Sequence, residues 1–213
     1  MNQASDVLLS APVEAVLLDM DGTLVDSDAA VERIWRDWAT SHDVDPEAVV
    51  AACHGATPQA TMRRFRPDLA DEVIEAQTQE NMRRETADVA DVVAAPGALK
   101  LLDTLADLGV PWGVVTNADH DLAVARLGAA GITPPLLVTV DEVPVGKPHP
   151  QIYELGSERI GVPLTRCLVV EDSDSGVAAG RAAGARVAGV RHDEADLRVE
   201  HLGELADLLA PSA

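Results

Sequence analysis

From residue 96 onward the chain alternates short aliphatic runs with stretches of helical period, and this alternation restricts the fold more than any other feature. Residues 112–115, 136–140, 167–170 and 186–190 read as strands, being rich in Val and Leu. Residues 121–130, 151–160 and 176–183 read as helices between them, and 202–209 as a closing helix. Ahead of these, Leu99, Leu102, Leu105 and Leu108 lie at helical spacing, with Gly109 as a stop. Such alternation builds a parallel sheet, because each parallel strand needs a long crossover and a helix supplies it. Val16-Leu17-Leu18 reads as an earlier strand, nearly all aliphatic as a strand covered on both faces must be.

Residues 28–88 follow another pattern. Val31, Ile34, Trp35 and Trp38 form an i, i+3, i+4, i+7 stripe, behind Asp26, Ser27 and Asp28 as candidate caps. That helix should end near 41–45. Pro46 can open a second helix through Ala52, and 57–65 and 71–88 supply two more. No period-2 run interrupts them. The expected architecture is α/β: a doubly wound, Rossmann-like parallel sheet in two sequence pieces, 1–24 and 93–213, with an all-α domain, 25–92, inserted between them. The linkers are expected near 22–28 and 90–96, and no internal repeat is visible.

Charge narrows the partners. Sixteen basic residues against 36 acidic ones give a formal charge of −20, a surface that repels nucleic acid and anionic membrane. No apolar run reaches the roughly 18 residues of a membrane span. Residues 1–12 hold no Lys or Arg and do not read as a signal peptide. Cys53 and Cys167 form neither a disulfide framework nor a zinc pattern. A cytoplasmic monomer with a small-molecule partner is expected. An anionic substrate would need a local reversal of sign, so the two lysines, Lys100 and Lys147, carry information.

Ligands of open parallel sheets sit beyond the carboxyl ends of the strands. After the first strand come Asp19 and Asp21; after the second, Thr116, Asn117 and Asp119; after the third, a loop holding Lys147; after the fourth, Glu171, Asp172 and Asp174. Asp19 and Asp21 are two apart, so an extended backbone points both to one face, where a cation or a shared proton must offset their repulsion. Singly, each cluster has a plainer reading. Asp19 to Gly22 could be a solvated turn, Lys147 an exposed loop cation, and Thr116, Asp119 and Asp174 helix caps. Four such clusters on one edge make a site. Few-carboxylate oxygen donors suit Mg²⁺, and a metal with Lys147 and Thr116 could hold the oxygens of a phosphoryl group. A carboxylate left free could attack phosphorus. The residue types therefore point to Mg²⁺-dependent phosphoryl transfer.

Four motifs carry a resemblance: Asp19-Met20-Asp21-Gly22-Thr23-Leu24-Val25; Thr116; Gly146-Lys147-Pro148-His149-Pro150; and Glu171-Asp172-Ser173-Asp174-Ser175-Gly176. In this order they resemble the haloacid dehalogenase superfamily, in the branch with a helical cap inserted after the first strand. The resemblance implies that Asp19 is the nucleophile and forms an aspartyl-phosphate, and that Asp21 is the general acid and then the general base. It implies Mg²⁺ on the side chains of Asp19 and Asp172 and the backbone carbonyl of Asp21, with Glu171 acting through water. Thr116 and Lys147 would hold the phosphoryl oxygens, helped by backbone amides near Met20 and Asn117.

Residues 54–69, opening His54-Gly55-Ala56-Thr57 and closing Phe65-Arg66-Pro67-Asp68-Leu69, are similar to the glycerol-3-phosphatases and 2-deoxyglucose-6-phosphatases of this branch. By that likeness His54 and Gly55 help admit a small sugar or polyol phosphate, and the cap closes over the site. Of the adjacent Arg63 and Arg64, one at most can face a substrate, and Arg63 is the candidate. A phosphonatase would need a cap lysine, and residues 26–95 contain none. A dehalogenase would lack the second acid, Asp21. The alternatives left beside a phosphatase are a phosphomutase of the β-phosphoglucomutase type and a non-catalytic binding module.

Overall fold

The computed structural model describes residues 12–53 and 57–210. The chain divides into two compact units, one formed by the residues up to Asp26 and from Val93 onward, the other by Ser27–Val92.

The first unit holds six strands in one sheet and a short two-stranded ribbon. In chain order the strands are β1 (Ala15–Leu18), β2 (Val25–Asp26), β3 (Val93–Ala94), β4 (Trp112–Val115), β5 (Leu137–Val138), β6 (Cys167–Glu171), β7 (Arg186–Val190) and β8 (Leu197–Val199). The main sheet runs β5-β4-β1-β6-β7-β8, every pairing parallel. Every residue of β1 and of β6 is buried. Since successive side chains point to opposite faces, both faces of the sheet centre are covered. Five described helices belong to this unit: Ala98–Leu108, His120–Ala129, Gln151–Ile160, Asp174–Ala182 and Leu202–Leu209. Leu17, Val115, Val169 and Val187 from the strands pack with Ile152, Tyr153 and Val177 from the helices into one core cluster. The order reverses about β1: the chain leaves it for β4 and β5 on one side and returns to β6, β7 and β8 on the other. A crevice opens at such a reversal, at the carboxyl ends of the strands.

The second unit holds α1 (Asp28–Ser41), α2 (Pro46–Cys53), α3 (Pro58–Phe65) and α4 (Asp71–Ala87), so the five helices of the first unit are α5 to α9 in the order given. Its core gathers Trp35, Trp38, Val49, Cys53, Met62 and Ile74, with the two indoles edge to face at 5.6 Å. Thr57 caps α3 by accepting from the amide of Ala60 at 3.3 Å. Ser27 stands at the cap position of α1, yet its side chain makes no cap bond there. Its ψ of 0° is not the extended geometry that aims a capping hydroxyl at the first amides. Among the described residues no helix is long and apolar enough to cross a membrane. Cys53 and Cys167 are free and buried, and burial pushes both thiols up to about 11.

Three details differ from the sequence expectation. The strand expected over 136–140 contracts to Leu137–Val138, because Val140–Glu142 winds into a single 3-10 turn capped by Thr139. Helix α5 buries Ala98, Leu101 and Leu105 and leaves Leu99 53% exposed, so its core face is rotated from the leucine stripe. Gly97 explains the rotation, since it brings the start of α5 against the start of α9 at Gly203, and Lys100 bonds Asp207 of α9 at 2.5 Å. Strands β2, β3 and β8 have no counterpart in the sequence reading, being two or three residues each.

Gly97 has φ +81°, and a Cβ there would fall on the backbone of Gly203 and 2.9 Å from the carbonyl carbon of Leu202. Gly97→Ala is expected to cost at least about 2 kcal/mol, from left-handed strain plus the clash. The check is the urea midpoint of unfolding against that of the parent.

Candidate active site

Strand β1 ends in a tight reversal. The amide of Asp19 still pairs with the carbonyl of Val170 at 2.9 Å, and Asp19 itself is buried. Immediately beyond, the Met20 carbonyl accepts from both Leu24 and Val25 at 2.8 Å, and the Gly22 amide reaches Val25 at 2.9 Å. Gly22 has φ +79°, and a Cβ on it would collide with the carboxyl group of Asp172. Only glycine lets this turn close on β6. The hydroxyl of Thr23, in the same turn, donates to Asp172 Oδ1 at 3.1 Å.

Lys147 arrives from the loop after β5 and is buried. Its Nζ donates to Asp19 Oδ1 and, at 2.6 Å, to Glu171 Oε1. The side-chain amide of Asn117 fixes its backbone, accepting from Lys147 N at 2.8 Å and donating to Lys147 O at 3.1 Å. Tyr153, on α7, donates its hydroxyl to the same Glu171 oxygen at 2.7 Å. The other Glu171 oxygen accepts from the Asp172 amide at 3.2 Å and the Ser173 hydroxyl at 3.1 Å. Glu171 is fully buried and committed to protein donors, which makes it the anchor of Lys147.

Thr116, at the end of β4, is buried, and its hydroxyl oxygen accepts from the Ala118 amide at 3.1 Å. That leaves the hydroxyl hydrogen able to donate. Asp21 meets the guanidinium of Arg126, on α6, at 2.8 Å.

Three of these carboxylates, Asp19, Glu171 and Asp172, present oxygens within 4.8 Å of one another. Burial, followed by the charge of Glu171, pushes the pKa of Asp19 well above the ordinary carboxylate range. The same two causes push Asp172 up to about 6. Burial works against the charge of Lys147, but Asp19 and Glu171 outweigh it and hold its pKa above the usual lysine value. Tyr153 is also raised, by burial and then by Glu171, so its hydroxyl keeps its proton. Three carboxylates gather against one ammonium in a largely buried cluster of hard oxygen donors. That donor set fits a hard divalent cation.

Of the other residues singled out in the sequence, Asp119 caps α6, accepting from Leu122 at 2.9 Å. Asp174 does not cap α8: Ser173 does, accepting from Gly176 at 3.1 Å, while Asp174 bonds His192 at 2.9 Å. In the helical unit Arg63 pairs with Asp71, and Arg64 lies 5.5 Å from the ring of Phe65. Met20 is buried. His54 and Gly55 lie outside the described residues. The sequence did not single out Thr23, Tyr153 or Arg126. Arg126 carried a local signal, a charge on the buried face formed by Leu122, Ala123 and Leu127, and Thr23 lay within the motif at 19–25.

A buried acid cluster bonded to a buried lysine, at the carboxyl edge of a doubly wound parallel sheet, defines an α/β enzyme with carboxylate chemistry at hand. The chain belongs to the haloacid dehalogenase-like hydrolases, whose family model matches residues 13–184. Hexitol phosphatase A of Escherichia coli (strain K12) is 37% identical over 204 residues, covering 92% of this chain and 94% of that protein. Glycerol-1-phosphate phosphohydrolase 1 of Saccharomyces cerevisiae is 32% identical, covering 85% of this chain and 76% of that protein. The crystal structure of a HAD family hydrolase from Deinococcus radiodurans R1, with bound phosphate and sodium, superposes at a TM-score of 0.73 and 27% identity. It covers 95% of this chain and 100% of that one.

Tyr153→Phe removes one donor from a fully buried carboxylate without changing shape. It is expected to lower stability by about 1 to 3 kcal/mol, read by chemical unfolding, with an unaltered far-ultraviolet circular dichroism spectrum.

Proposed function

We propose that this protein is a Mg²⁺-dependent phosphatase that hydrolyses a small sugar or polyol phosphate monoester through an aspartyl-phosphate on Asp19. The observation that carries this is the setting of Asp19: buried, held by Lys147 through one oxygen, and grouped with Asp172 and Glu171. One carboxylate oxygen is tethered and the other is left to attack.

Asp19, Asp172 and the backbone carbonyl of Asp21 would hold Mg²⁺, with Glu171 behind them through water. When bound, the ion offsets the carboxylate charges and polarises the phosphoryl oxygens. Asp19 attacks phosphorus, and the bond to the ester oxygen breaks with its electron pair while Asp21 gives that oxygen a proton. Asp21 then takes a proton from the water that attacks the phosphorus, which releases phosphate and restores Asp19. Lys147 and the Thr116 hydroxyl donate to the phosphoryl oxygens, with the backbone amides near Met20 and Asn117.

The hexitol and glycerol phosphatases named above support a small polyhydroxylated substrate. In the same proposal Ser27–Val92 is a cap domain, with His54, Gly55 and Arg63 contributing to substrate choice. The formal charge of −20 favours a small ester over a polyanion, and it fits a cytoplasmic monomer with no nucleic-acid or membrane partner.

The test is phosphate release with Mg²⁺ from glycerol phosphate, hexitol phosphates, 2-deoxyglucose-6-phosphate and β-glucose-1-phosphate. Phosphate should appear from at least one polyol or sugar ester, EDTA should abolish it, and Asp19→Asn should lower kcat by about 10³-fold or more. Conversion of β-glucose-1-phosphate to glucose-6-phosphate without free phosphate would instead make the protein a mutase.

A further inference from the structure

We propose that Arg126 is a positioning residue that aims the carboxylate of Asp21 at the leaving-group oxygen. Arg126 lies in the middle of α6, on the face that also buries Leu122, Ala123 and Leu127. A guanidinium on such a face is costly to desolvate unless a partner of opposite charge meets it there. Asp21 meets it there, with Arg126 Nη1 2.8 Å from Asp21 Oδ2. The pair is lopsided: the Arg126 side chain is 6% exposed and that of Asp21 31%. Surface pairs in this chain look different, as in Arg166 with Glu14, where the arginine side chain is 61% exposed.

Three facts turn this pair into a positioning device. The turn that carries Asp21 is fixed by backbone bonds from Gly22, Leu24 and Val25, so only the side-chain torsions of Asp21 remain to be set. Arg126 sets them from a rigid helix, through a planar donor of fixed geometry. It engages the carboxylate of Asp21 through Oδ2.

This inference rests on the proposed acid role of Asp21, and the experiment separates the two. For a phosphatase with a covalent intermediate, kcat/KM reports the steps through the first transfer, in which the leaving group departs. Glycerol phosphate expels an alkoxide that needs a proton; 4-nitrophenyl phosphate expels a stabilised anion that does not. Asp21→Asn, Arg126→Met and the double variant are compared on both substrates, with the fold checked by circular dichroism.

Asp21→Asn should lose about 10²-fold or more on glycerol phosphate and much less on the aryl ester. Arg126→Met should lose about tenfold on glycerol phosphate and less than about threefold on the aryl ester. In the Asp21→Asn background it should add no further discrimination, because two residues acting as a unit are not additive. If Arg126→Met does not fold, Arg126→Lys, which keeps the charge but not the planar fork, serves the same comparison. Equal losses on both substrates, or a full further loss in the double variant, would overturn the inference and leave Arg126 a structural ion pair. An Asp21→Asn variant blind to the leaving group would overturn the acid role itself, and this inference with it.

Discussion

A buried ammonium held between two buried carboxylates is the interaction on which the rest of the site depends. Taken singly, Lys147, Asp19 and Glu171 would each cost several kcal/mol to bring out of water. Together they offset one another only because the sheet register delivers them to one place. Leu18 pairs with Val170, so the next residue of β1 and the next of β6 are the two carboxylates, side by side. A slip of one residue between the two strands would turn one carboxylate toward the opposite face and leave the lysine with a single partner. The strand pairing that makes the fold and the charge pairing that makes the site are the same constraint. Asn117 and Tyr153 reinforce it, the first by gripping the Lys147 backbone and the second by donating to the Glu171 oxygen that Lys147 shares.

The two lysines of the chain divide sharply. Lys147 is enclosed in the site, and Lys100 ties α5 to α9 at the surface through Asp207. The abundant acids elsewhere engage arginines, as Asp37 does with Arg84 and Glu142 with Arg159. Within the cluster of Asp19, Glu171 and Asp172 the positive charge comes from Lys147, and a divalent cation would carry further the neutralisation that one ammonium begins.

What the sequence makes legible is whatever is local. Aliphatic runs announce β1, β4, β6 and β7, and the acids, hydroxyls and amides that follow them announce the edge where Asp19, Thr116 and Asp172 stand, because a strand and the loop behind it are contiguous. Short elements escape: β2, β3 and β8 have two or three residues each, too few for any period to show. Long-range partners escape too. Nothing near Tyr153 says that its hydroxyl will meet Glu171, 18 residues on, and the commitment of Glu171 to Lys147 is visible only in three dimensions. The rotation of α5 was hidden for a related reason, since two stripes of that helix are both apolar and its contact with α9 chooses between them. Arg126 is the intermediate case. A charge on an otherwise apolar helical face is an anomaly that sequence can flag, but its partner lies 105 positions earlier along the chain.

The ribbon of β2 and β3 has a further consequence. Val25 pairs with Ala94 and Asp26 with Val93, so the points where the chain leaves the sheet unit and re-enters it are hydrogen-bonded to each other. For the sheet, everything between those points is one closed loop whose span is fixed by a single antiparallel pairing. The entropy of closing such a loop grows only logarithmically, at roughly 0.6 kcal/mol for each doubling of its length. The ribbon is in effect a socket. A helical domain of another size or shape could be seated between Asp26 and Val93 with the register of β1 and β6, and the carboxylates it aligns, left as they are.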